Sequence, residues 1–68
     1  MNMVPVASSN IAAVGWEGNI LAVEFTSGQT YRYTGVSRAL FDRMMSAPSK
    51  GAFFQQFIRG KYSDDGGA

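Results

Sequence analysis

The chain has 68 residues, with six Lys and Arg against five Asp and Glu, and neither cysteine nor histidine. That length holds one domain with one core, and the missing residue types exclude disulfides, thiolate and histidine metal sites and any nucleophile served by a histidine base. A net charge of +1 excludes a broad field for polyanions, so any contact with nucleic acid has to be local.

Along the chain the first half alternates. Ile11 to Trp16 reads as a first strand, with Glu17-Gly18-Asn19 as its turn. Ile20 to Phe25 follows, with Leu21, Val23 and Phe25 on one face. Ser27-Gly28 supplies the next tight turn, and Gln29 to Thr34 alternates again with residues that favour strands. Connections this short demand antiparallel pairing. The second half changes to helical spacing. Leu40, Phe41, Met44 and Met45 make one apolar helix face, with Ser37 as N-cap and Pro48 as the stop. Ser49 caps a second helix in which Phe53, Phe54, Phe57 and Ile58 repeat the spacing, and Gly60 ends it. The fold expected is α+β: a three-stranded antiparallel β-meander followed by two short α-helices packed on one face of the sheet. Residues 1–62 form the single domain. Residues 63–68, Ser-Asp-Asp-Gly-Gly-Ala, carry no large apolar side chain and are expected to be a disordered tail.

Pro48-Ser49-Lys50-Gly51, then Phe53-Phe54, then Ile58-Arg59-Gly60-Lys61-Tyr62, with Tyr31-Arg32-Tyr33 and the opening Ser8-Ser9-Asn10-Ile11, resemble the KTSC domain. That family is named for the C-terminus of certain lysyl-tRNA synthetases and also occurs as stand-alone bacterial and phage proteins. The resemblance runs from about residue 4 to residue 62. Trp16 stands where the family pattern has Tyr, and Gln55-Gln56-Phe57 replaces a more polar stretch. The resemblance implies a fold more than an activity, with RNA binding suggested by the attachment to a synthetase.

Ser49-Lys50-Gly51 is the first candidate site. A helix start offers unpaired N–H groups, to which Ser49 adds a hydroxyl and Lys50 a charge, while Gly51 permits close approach of a phosphate. The alternative is an ordinary capped helix with a solvated lysine. Arg59, Lys61 and Tyr62 are the second, able to clamp a phosphate and stack a base; equally, Arg59 complements the helix dipole and Tyr62 covers the core. Tyr31 and Tyr33 share a strand face and are expected in the core with hydroxyls at its rim, leaving Arg32 outside. Trp16, beside a turn, could cap the core, hold a base or sit at a subunit contact.

Catalysis has no visible apparatus. Glu17, Glu24 and Asp42 fall on a turn, a strand and a helix with no pairing between them. The expected function is therefore a non-enzymatic binder of a phosphate-bearing nucleotide ligand, sequestering a nucleotide signal as a phage-type accessory protein does, with no cofactor and no metal. An RNA-binding module and a protein–protein interaction module are the alternatives. Duplex DNA fits poorly, because the second helix turns apolar residues rather than base-reading ones to its surroundings. A domain this small buries only about 60% of its unfolded surface, so a homo-oligomer is expected. No apolar run nears the roughly 18 residues of a membrane span. Met1 to Val6 has no secretory pattern either, so a cytoplasmic location is expected.

Overall fold

The turn residues and the register of the strands decide the architecture. In the computed structural model, described for residues 1–67, β1 (Val4–Pro5), β2 (Ile11–Glu17), β3 (Ile20–Phe25) and β4 (Thr30–Thr34) form one antiparallel sheet in the order β1-β2-β3-β4. The helices α1 (Arg38–Ser46) and α2 (Lys50–Phe53) follow, and α2 runs on into a π-helical turn, Phe54–Ile58. The α+β class, the antiparallel sheet and the two short helices match the sequence reading; the number of strands is four, not three. β1 escapes that reading because two residues carry no alternation and Pro5 lacks a ladder donor. Val4 and Pro5 pair with Val14 and Ala13.

Gly18 and Asn19 both take positive φ, 56° and 63°, which makes the β2–β3 connection a primed turn matched to the strand twist. Pairing puts Val14 opposite Val23, Trp16 opposite Leu21, and Tyr33 and Tyr31 opposite Leu21 and Val23, so these side chains share one face. The register shifts between Ile11 and Ala13. Such a bulge turns a strand by one residue, which is why Ile11 and Val14, three apart, are both fully buried.

The helices close over this face. Ser37 accepts from the Leu40 N–H at 3.1 Å and caps α1. Ala47, before Pro48, is extended and ends it. Val36, Met44, Phe53, Phe54 and Ile58 complete the core with Leu40, Phe41, Met45 and Phe57 packed against it. On the opposite face Ala13, Gly15 and Ala22 are small and buried, and the N-terminal segment crosses Gly15. A Cβ on Gly15 would meet the Asn2 carbonyl oxygen at 2.7 Å and the Met3 sulfur at 2.8 Å.

The segment after Tyr62 bonds to β4. Thr34 N–H donates to the Ser63 carbonyl at 3.0 Å and Asp65 N–H to the Arg32 carbonyl at 3.2 Å, and Asp64 bridges to Tyr33. Residues 63–65 thus run beside β4 through backbone bonds, which need no apolar side chain. Ala68 lies outside the described residues.

Candidate functional site

At one end of the sheet, between β3, β4 and the π turn, a cleft of about 440 Å³ opens on the helix side. Its floor is aromatic. Tyr33 and Phe54 are nearly buried, 4% and 2% exposed, with ring centres 5.4 Å apart and edge to face. Phe25 and Tyr31, half-buried, form the wall. Phe25 meets Phe54 at 5.5 Å and Tyr31 at 5.6 Å, both edge-on, and Tyr31 stacks on Tyr33 at 6.4 Å. Pairs of this geometry each add about 0.5–1.5 kcal/mol beyond area burial, so the floor is rigid. The rim is polar: the amides of Asn10, Gln29 and Gln55, the Ser27 hydroxyl, Arg59 and Asp64.

The π turn sets the far side. Arg59 N–H donates to the Phe54 carbonyl at 2.9 Å, a bond spanning five residues rather than four. The extra residue leaves Ile58 in the core, fully buried, and brings Arg59 to the rim beside Phe54 and Gln55. The Arg59 guanidinium donates to Gln55 Oε1 at 3.2 Å. Gly60, at φ 75°, then reverses the chain.

Burial pushes the Tyr33 hydroxyl up to about 12; Asp64 and Tyr31 act in the same direction, against the pull of Arg59. At neutral pH this phenol stays protonated, far from the range useful for proton transfer. No group of three or more carboxylates able to hold a metal occurs among the described residues.

Of the residues singled out from the sequence, Tyr31, Tyr33 and Arg59 line the cleft. Ser49 caps α2, its Oγ accepting from the Ala52 N–H at 3.2 Å. The Lys50 ammonium turns back to the Ala47 carbonyl at 3.1 Å. Gly51 faces the Ser8 and Asn10 side chains. Trp16 donates its indole N–H to the Val36 carbonyl at 2.7 Å and stacks beside Phe41, with the Arg38 guanidinium over both rings. Arg32 is tied to Asp65 by its N–H at 3.1 Å and its guanidinium at 3.4 Å. Tyr62 is half-buried against the core near Gly35, and Lys61 is exposed.

Sequence reasoning did not select Asn10, Phe25, Ser27, Gln29, Phe54, Gln55 and Asp64 as site residues. The available signal was phase. Phe25 and Tyr31 share a face, so a turn as short as Ser27-Gly28 must bring them together; nothing local foretells that Asn10 and Gln55 arrive at the same place.

The model of the KTSC domain family matches residues 7–62. A protein of Tsukamurella paurometabola is 39% identical over 62 residues, covering 88% of this chain and 92% of that one. A lysine–tRNA ligase of Trichormus variabilis is 43% identical over 42 residues, 62% of this chain but only 8% of the ligase. The crystal structure of a KTSC domain protein from Yersinia pestis superposes with a TM-score of 0.86 at 39% identity, covering 93% of this chain and 92% of that one. The chain belongs to the KTSC domain family.

Proposed function

We propose that this KTSC domain is a non-catalytic binder of a nucleotide, and that the aromatic cleft is where the base enters. The observation that carries this reading is the pairing of an aromatic wall with an amide rim. Phe25 and Tyr31 offer half-exposed rings, and a planar base stacks on such rings for about 1–3 kcal/mol. Asn10, Gln29 and Gln55 present donors and acceptors of the kind that meet base edges. Arg59 supplies a fixed cation for one phosphate. The volume, about 440 Å³, lies in the range of small-ligand pockets, and the net charge of +1 favours a short nucleotide over a long polyanion.

The second reading, an RNA-binding module, is favoured by one finding, the similarity to segments of lysine–tRNA ligases. In that case the cleft takes one unstacked base of a single strand. Thermal shift of the purified protein against AMP, GMP, CMP, UMP and a short single-stranded oligonucleotide tests both. Ligand at a hundred times Kd adds about 2.7 kcal/mol of stability. A shift for a mononucleotide that Arg59→Ala and Tyr31→Ala remove supports the first reading. A shift for the oligonucleotide alone supports the second, and a flat panel defeats both.

A further inference from the structure

We propose that Asn10 is a ligand-reading side chain of the cleft and that Gly51 is its positioning residue. The proposal rests on the nucleotide reading and says which part of the base is read: a hydrogen-bond acceptor on its edge, a ring nitrogen or a carbonyl.

Gly51 has no backbone reason to be glycine. It lies in the first turn of α2 and is not among the glycines with positive φ, and glycine is a weaker helix former than alanine. Its surroundings give the reason. A Cβ there would stand 3.0 Å from Asn10 Oδ1 and 3.4 Å from Ser8 Oγ, closer than the Asn10 side chain could tolerate without moving. The Asn10 side chain is thus seated on bare helix backbone.

Two further bonds hold the residue, one on its backbone and one on its side chain. Thr26 N–H donates to the Asn10 carbonyl at 3.0 Å, and the Ser8 hydroxyl donates to Asn10 Oδ1 at 3.3 Å. With backbone carbonyl and Oδ1 engaged, the amide Nδ2 is the group that donates to a ligand. Asn10 lines the cleft with Phe25 and Gln55, so that donor stands at the edge of a ring stacked on the aromatic wall. Gly51 therefore acts on the ligand through Asn10, with no phosphate between.

The test uses the full chain, labelled with nitrogen-15, and two readouts. Without ligand, Gly51→Ala and Ser8→Ala are each expected to shift the Asn10 side-chain amide pair, while Lys50→Ala leaves it in place. An Asn10 pair unmoved by Gly51→Ala overturns the positioning role. Ser8→Ala keeps the question open to measurement should the glycine variant fold poorly. With AMP, GMP, CMP and UMP as probes, Asn10→Ala is expected to weaken the nucleotide that binds by about tenfold. Gly51→Ala should weaken it comparably and the double variant no further than Asn10→Ala alone. Additive losses overturn the coupling. Failure of all four nucleotides to bind the unaltered protein overturns the nucleotide reading and the ligand-reading role of Asn10, while the amide shifts still decide whether Gly51 sets Asn10.

Discussion

Tyr33 and Trp16 are amphipathic side chains whose polar tips face opposite demands. The Tyr33 hydroxyl sits where burial pushes its ionisation from 10.0 up to about 12. Between those values the unfolded chain has released the proton and the folded one retains it. The unfolded state then binds fewer protons, so stability falls as pH rises, and the contribution present below about pH 10 is gone above about 12. Tyr33→Phe is expected to remove that slope from alkaline denaturation curves and to delete the latest step of tyrosinate absorbance; an unchanged slope would assign alkaline unfolding to other groups. Trp16 answers a different need. Its N–H satisfies the Val36 carbonyl at 2.7 Å, so Trp16→Phe keeps the stack on Phe41 but leaves that carbonyl short of a donor. A loss of about 1–2 kcal/mol in urea denaturation is expected, with binding in the cleft unaffected.

Elements that local chemistry specifies were legible, and those that depend on distant partners were not. Ser37, Pro48, Ser49 and Gly60 punctuate the helices through their own backbone preferences, and Gly18-Asn19 forces its turn. β1, the bulge before Ala13 and the bonds of residues 63–65 to β4 depend on partner strands outside the segment itself. The last of these has a clear electrostatic signature. The Arg32 N–H, then the Gly67 N–H and the Arg32 guanidinium, hold the Asp65 carboxyl below its ordinary 3.8 despite some desolvation. A carboxylate lowered in this way contributes above its ordinary value and loses that contribution as pH falls through the lowered one. Asp65→Asn is therefore expected to lower the protection of the Arg32 and Thr34 amides against hydrogen exchange near neutral pH and to make that protection insensitive to acid, whereas the unaltered chain loses protection there only in acid. Equal protection in the two proteins would show that the backbone bonds to Ser63 and Asp65 suffice.

At the scale of the molecule, the cleft exists because three separately encoded features converge: the Tyr31 and Tyr33 phase of β4, the π turn that carries Arg59 to the rim, and the loop that sets Asn10 on Gly51. Arg59 and Tyr33 could be chosen from the sequence because charge and aromaticity are visible residue by residue; the amide rim could not, since its members are separated by up to 45 positions, Asn10 to Gln55. The same convergence bears on self-association. Of the apolar helix residues, Met44, Phe53, Phe54 and Ile58 lie in the chain's own core, and Leu40, Phe41, Met45 and Phe57 are partly buried against it. One sheet edge is the two-residue β1 with its proline, and the other is continued by residues 63–65, which are ways that proteins blunt an edge against pairing. Among the described residues the large exposed hydrophobics are Met1 and Val4, both at the β1 end of the chain. Light scattering at micromolar concentration is therefore expected to return the mass of one chain, 7.4 kDa, and the same mass after Val4→Lys. A larger mass that Val4→Lys reduces would place an interface on the β1 edge, and would make the cleft a feature repeated in each copy rather than one shared between copies.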